Sequence, residues 1–192
     1  MNDPDGDLIA AIAAGDARAA DAFVRRHVHR VTALAQRMLH DPHEAEDVAQ
    51  EVFLKAWREA RRWRPGQAKF QTWMHRVTLN LCYDRLRKRR EVSDPDAGAE
   101  TADPAPGASE MWLAQQRARR VQAALATLPE RQRAAIALCH FEEMSQAEAA
   151  SVLEVSVDAL ESLLARGRRA LHAKLADVAR DLMGEVGDGR TA

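Results

Sequence analysis

Residues 91–108, EVSDPDAGAETADPAPGA, limit what this chain can fold into more than any other stretch. Three of its seven prolines fall here, among acids and small residues. Such a run cannot bury enough apolar surface to offset the entropy of ordering it, so it is expected to be extended or disordered. A chain of 192 residues suits one domain or two small ones, and a run of this kind reads as the tether between two parts. The boundaries read from the sequence are a first domain at 1–92, an acidic flexible linker at 93–108, a second domain at 109–176 and a C-terminal tail at 177–192.

Hydrophobic residues make up 46% of the chain but aromatics only 5%, with alanine and leucine carrying much of the apolar content. That balance favours packed helices over a sheet, and the expected class is all-α. In the first half, a short helix from about Asp7 to Ala14 stops at Gly15-Asp16. Phe23, His27, Val31, Leu34 and Met38 follow at near-helical spacing. Asp41-Pro42-His43-Glu44 is a start signal, with Asp as cap, Pro in the first turn and Glu at the capping-box position. Val48, Val52, Phe53 and Ala56 mark the inward face of that third helix, and Trp63-Arg64-Pro65-Gly66 breaks it. A fourth begins near Phe70, with Trp73, Val77 and Leu81 expected inward.

Capping signals recur in the second half. Ser109 can cap a helix reaching about Ala126, Thr127-Leu128-Pro129-Glu130 reads as a capping box for a helix to Phe141, and Ser145-Gln146-Ala147-Glu148 as another for a helix to Leu153. Glu154-Val155-Ser156 is a tight turn, and Ser156 caps a last helix carrying Val157, Leu160, Leu164 and Leu171. Two helices joined by so short a turn have the helix-turn-helix signature. Gly167 inside that last helix costs about 1 kcal/mol against alanine, for which the sequence offers no reason beyond a close approach of DNA or protein.

The net charge of −1 conceals a strong segregation. Residues 1–90 hold 17 bases and 12 acids, residues 91–110 hold six acids and no base, and residues 111–192 hold 11 of each. A nucleic-acid binder needs clustered bases rather than a basic total. The cluster here is TWMHRVTLNLCYDRLRKRR (72–90), an aromatic-bearing helix that ends in Arg85, Arg87, Lys88, Arg89 and Arg90. Aromatic faces can stack unpaired bases and arginines can hold phosphates. Two cysteines far apart do not make a disulfide framework, and no ligand cluster suggests a metal, a cofactor or a catalytic centre. No apolar run approaches the roughly 20 residues of a membrane span, and the acidic N-terminus lacks a signal-peptide pattern. A cytoplasmic location without membrane insertion is therefore expected.

Four pieces in order carry a family resemblance: DPHEAEDVAQEVFLKAW (41–57), FQTWMHRVTLNLCYDRLRKRR (70–90), LPERQRAAIALCHFEEMSQAEAASVLEVS (128–156) and the helix that follows. The chain resembles a group IV, or extracytoplasmic-function, sigma factor of bacterial RNA polymerase. The resemblance implies a non-catalytic initiation factor with several partners. These are polymerase core, through the clamp helices of the largest subunit and the flap of the second, then promoter DNA, and an anti-sigma factor that holds it inactive. It places core binding on Asp47, Gln50, Glu51 and Lys55. Promoter melting and proximal-element contact fall on Trp73, Asn80, Tyr83, Arg85, Arg87, Lys88, Arg89 and Arg90. For Trp73, ordinary core packing is the stronger expectation.

Distal-element contact falls on Asp158, Ala159, Glu161, Ser162, Ala165, Arg166, Arg168 and Arg169. The chain departs from the family pattern by presenting Glu161 and Leu163 where lysine and arginine are common, and Glu154 at a turn where glycine is common. Two alternatives stay open at this point: a sigma-like decoy that titrates an anti-sigma factor, and a conventional helix-turn-helix regulator.

Overall fold

The computed structural model describes residues 3–64, 66, 69–92 and 119–187, with backbone alone for 92 and 177–187. The expected linker at 93–108, the Ser109 cap and the end of the tail lie outside the described residues. Every described element is a helix or a turn.

Four helices form the first bundle: α1 (Gly6–Ala13), α2 (Ala17–Leu39), α3 (Pro42–Ala60) and α4 (Phe70–Val92). Their starts follow from side chains that take up orphan N–H groups. Asp16 accepts from the amides of Arg18 and Ala19, and Asp41 from those of His43 and Glu44 with Pro42 in the first turn. Glu44 does not close the expected capping box, because its carboxylate turns to Arg89 at 2.9 Å. The amide of Phe70, at the start of α4, donates to Asp3 Oδ2 at 2.8 Å, so the N-terminal segment caps a helix far along the chain.

Phe23 is fully buried at the centre of this bundle. Its ring meets Phe53, Trp57 and Phe70 edge-on at centroid distances of 6.3, 6.0 and 5.6 Å. The few aromatics of the chain are thus concentrated in one core, where edge-to-face pairs add to area burial. The inward stripe of α4 is rotated from the expected one. Phe70, Met74, Thr78 and Cys82 are buried, whereas Trp73, Val77 and Leu81 are half-buried. Burial pushes the Cys82 thiol up to about 12, so it packs as an inert thiol.

The second bundle holds α5 (119–126), α6 (Glu130–Ile136), α7 (Gln146–Leu153) and α8 (Val157–Gly187). The Thr127–Glu130 capping box does not form. Pro129 is the residue before α6 and makes no side-chain cap, and Thr127 Oγ1 donates back to the Ala124 carbonyl at 2.8 Å. The junction is held instead by the buried Arg133, whose guanidinium donates to the carbonyls of Leu125, Ala126 and Leu128. The helix beyond α6 widens into a π-type turn at Ala137–Phe141, with Glu142 N donating to Ala137 O at 3.0 Å. At Ser145 the capping box is complete in both directions. Gly167 is explained by packing: a Cβ there would lie 2.7 Å from Cδ1 of Ile136, so the glycine lets α8 cross α6 closely.

The two bundles pack against each other, with α4 on α7 and α2 on α6. Glu142, whose side chain is 3% exposed, reaches Arg37 at 3.5 Å and His75 at 3.4 Å. Arg37 also lies over the Phe141 ring at 4.2 Å. Lys69 meets Glu148 at 2.7 Å, Arg76 meets Glu154 at 3.4 Å, and Arg90 meets Glu130 at 3.2 Å. Arg76 donates to the Ser151 carbonyl, Gln122 to that of Gln36, and Arg133 to that of Met38.

Candidate nucleic-acid interface

The outer face of α4 presents Asn80, which is exposed, and Tyr83, which is half-buried. Both line a cleft of about 320 Å³ whose far wall is Glu130, Arg131, Leu153 and Glu154 of the second bundle. The Tyr83 hydroxyl makes no hydrogen bond, and burial pushes it up to about 12. It therefore remains a neutral ring with an unused donor, suited to stacking and to a single polar contact with a base. Trp73 is half-buried and packs on Phe70 at the edge of the core, with centroids 5.0 Å apart.

The basic end of α4 is not the uniform cluster that its sequence suggests. Lys88 is exposed and forms no ion pair among the described residues. Arg87 is exposed beside Asp84, at 2.8 Å. Arg85 lies 3.9 Å from Asp47 and 3.7 Å from Glu51. Arg89 turns inward and ties the α2–α3 junction, bonding to the Leu39 carbonyl at 3.0 Å and pairing with Asp41 and Glu44. Its geometry is that of a strap between helices, which corrects the expectation of a free phosphate anchor.

A second surface lies between α2 and α3. Val24, Val28, Thr32, Glu46, Gln50, Leu54 and Trp57 line an open groove of about 530 Å³. Leu54 is 56% exposed and Val28 39%, an apolar pair left uncovered. Of the four residues expected to bind polymerase, only Gln50 lines this groove. Asp47 and Glu51 face Arg85, and Lys55 lies 3.4 Å from Glu51. The sequence reading missed Leu54 and Val28. An outward leucine, off the Val48/Val52/Phe53 stripe, was the available signal.

The helix-turn-helix is built by α7, the turn at Glu154–Ser156, and α8. Ser156 Oγ accepts from the Ala159 amide at 3.2 Å, capping α8. Glu154 holds left-handed backbone at φ 55° and ψ 46°, a conformation that glycine adopts without strain. Asp158, Glu161, Ser162, Ala165, Arg166, Arg168 and Arg169 are exposed on α8, and Ala159 is half-buried. Arg166 Nε donates to the Ser162 carbonyl, and Arg168 Nε to His140. Leu163 packs against the core rather than standing outward. The readable face is thus mixed in charge, with acids toward its N-terminal end and arginines beyond.

Residues 23–92 match Sigma-70 region 2, and residues 118–171 match Sigma-70 region 4. The chain is 32% identical over 187 residues to the RNA polymerase sigma-H factor of Pseudomonas aeruginosa, spanning 92% of this chain and 96% of that one. It belongs to the sigma-70 family, in the extracytoplasmic-function (ECF) group. Another relative, the ECF sigma factor SigE of Mycolicibacterium smegmatis, is 36% identical over 160 residues, or 81% of this chain and 61% of that protein.

Two solved structures share the fold of this ECF family member. One is CnrH in complex with the cytosolic domain of CnrY, with a TM-score of 0.71 and 30% identity, covering 91% of this chain and 99% of that one. The other is RpoE in complex with the anti-sigma factor NepR from Bartonella quintana, with a TM-score of 0.66 and 25% identity, covering 81% and 96%. Alternative sigma factors of this group are transcription-initiation factors. No helix among the described residues is long and apolar enough to cross a membrane, and no group of metal-ligating side chains occurs among them.

Proposed function

We propose that this chain works as an alternative sigma factor in the cytoplasm, with one face for each partner and no catalytic chemistry of its own. The two working domains are 1–92 and 109–176. The α2–α3 groove takes the clamp helices of the polymerase largest subunit, with Leu54 and Val28 as the apolar anchor and Glu46 and Gln50 as its polar rim. Anchors of this kind, central and desolvated on binding, carry most of an interface's energy. The second domain reaches the flap of the second subunit.

On DNA, Asn80 and Tyr83 engage unpaired bases of the proximal element, while Lys88 and Arg87 hold phosphates. Stacking is worth on the order of 1–3 kcal/mol per base, comparable with the few kcal/mol needed to extrude a weakly paired base. The α8 helix enters the major groove of the distal element. Glu161 accepts from a cytosine amino group, Ala165 touches a thymine methyl, and Arg166 and Arg169 hold phosphates. An anti-sigma factor holds the chain inactive, a reading supported by the NepR complex of a structural relative.

The observation that carries this reading is the pairing, within the region 2 stretch, of an uncovered apolar groove with Asn80 and Tyr83 on the cleft-lining face of α4. The test is transcription of sheared genomic DNA by core polymerase with and without the protein. Discrete new starts sharing two upstream motifs are expected, and Leu54→Glu should abolish them together with core binding. An absence of new starts beside an active control sigma factor would leave the decoy reading in place.

A further inference from the structure

Two aspartates ahead of α1 tie together helices that are distant in sequence. Asp5 stands at the start of α1 but does not cap it, because its carboxylate is turned to α2. There Oδ1 accepts from Arg26 Nη1 at 2.8 Å, and Oδ2 lies 3.0 Å from His27 Nε2. Asp5 is 2% exposed, and a carboxylate so buried is costly unless paired. A buried pair is weak evidence for added stability, so its worth is sought in the geometry it fixes. Asp3 uses both of its carboxylate oxygens: Oδ1 accepts from the Asp5 amide at 3.1 Å and Oδ2 from the Phe70 amide at 2.8 Å. Asp3 and Asp5 thus form a clasp that joins α2 to the start of α4. Both precede the stretch that matches Sigma-70 region 2, which begins at residue 23.

Phe70 is where the clasp meets the core. Its amide is held by Asp3, and its ring packs on Trp63 at 4.9 Å between centroids. On the other side the ring meets Phe23, which packs on His27 at 4.5 Å. The contacts that start at Asp5 therefore run through His27, Phe23 and Phe70 to Trp63, in the junction between α3 and α4. Arg61, Arg62 and Arg64 of that junction are exposed and form no ion pair among the described residues. Exposed, unpaired arginines are open to phosphates. At its far end α4 is held by Arg89, through the Leu39 carbonyl, Asp41 and Glu44. The helix is pinned at both ends, with Asn80 and Tyr83 between the pins.

We infer that the Asp3–Asp5 clasp is a positioning element for promoter opening: it orders the first turn of α4 and the arginine-bearing junction before it, and so sets the face that receives unpaired DNA. This rests on the sigma-factor reading for the role of α4. Both aspartates act through Phe70. Without the Asp3 oxygen the Phe70 amide is an orphan donor and the first turn frays. The fraction of molecules with a competent α4 then falls, and opening falls with it.

The test starts at Asp3, which is half-buried and outside the apolar core. Asp3→Ala removes the acceptor and Asp3→Asn keeps one. In the free chain, exchange of the Phe70 amide should speed up roughly fivefold in Asp3→Ala, the factor that corresponds to a typical lost cap, and stay near the wild-type rate in Asp3→Asn. The promoter readout uses core polymerase and the strongest start that the wild-type chain directs on sheared genomic DNA. Permanganate reactivity of thymines in that duplex should fall by a similar factor in Asp3→Ala and recover in Asp3→Asn, with core binding unchanged. A template already unpaired over the same stretch should remove the defect, because unpairing no longer draws on that face. Arg26→Ala, which releases the clasp from α2 at an exposed position, should reproduce the faster exchange and the weaker opening.

Unchanged Phe70 exchange in Asp3→Ala overturns the coupling of the clasp to α4. Faster exchange with normal opening overturns the positioning role, as does a loss of opening that Asp3→Asn shares or that comes with lost core binding. Normal exchange and opening in Arg26→Ala overturns the part given to Asp5. Should the wild-type chain direct no start with core polymerase, the sigma-factor reading fails and the promoter role with it, whatever the exchange rates.

Discussion

His40 ends α2 in left-handed backbone at φ 57°, with both ring nitrogens buried and without hydrogen-bond partners. Burial, with Arg133 and Arg89 nearby, lowers its pKa from 6.5 to about 4. The folded protein therefore holds the ring neutral across a range where the unfolded chain takes up a proton. Stability should fall as pH drops from 6.5 to 4, by on the order of 2–3 kcal/mol. Asparagine tolerates the same backbone and does not titrate, so His40→Asn should flatten the change in urea midpoint across that window. Glu154→Gly relieves a second left-handed residue and should raise the melting temperature, a gain of about 1 kcal/mol, while loosening the contact with Arg76. Neither ring environment nor backbone sign can be read from residue type alone. The departure from glycine at Glu154 was legible, but its partner Arg76 lies on another domain.

Helix starts were legible wherever the cap is a neighbour in sequence, as at Asp41, Ser145 and Ser156. They were not legible where the partner is remote. Thr127 has capping-box spacing, yet the α5–α6 junction is organised by Arg133, and α4 is capped by Asp3. The rotated stripe of α4 has the same cause: a helix packed by two bundles has two inward faces, and periodicity reports one. At α7 the capping box also carries the Lys69 contact, which with Ser145 lowers Glu148 from 4.5 to about 2. Its stabilising contribution is present above pH 4.5 and is lost as pH falls toward 2; Glu148→Gln should remove that part of the acid response. At the α6–α8 crossing, Gly167→Val should destabilise the second bundle by about 1–3 kcal/mol through contact with Ile136, read as a lower thermal midpoint.

At the scale of the molecule, the division into two helical units and the family were legible from motif order. Their contact was not, because each ion pair joins residues from opposite halves of the chain. The basic end of α4 illustrates the consequence. Lys88→Ala should weaken oligonucleotide binding and reduce its salt dependence with an unchanged melting temperature. Arg89→Ala should instead cost about 1–2 kcal/mol of stability, since its partners are Asp41, Glu44 and the Leu39 carbonyl. Replacing Arg87, Lys88, Arg89 and Arg90 together would mix the two effects, so the single substitutions are the ones that assign roles. Arg133 bears on how the bundles come apart. Three of the carbonyls it serves belong to its own bundle and only that of Met38 belongs to the other. On separation it surrenders one bond and retains the rest, so the junction between α5 and α6 stays tied. Parting the bundles would therefore leave that helix junction intact, with no helix end melted.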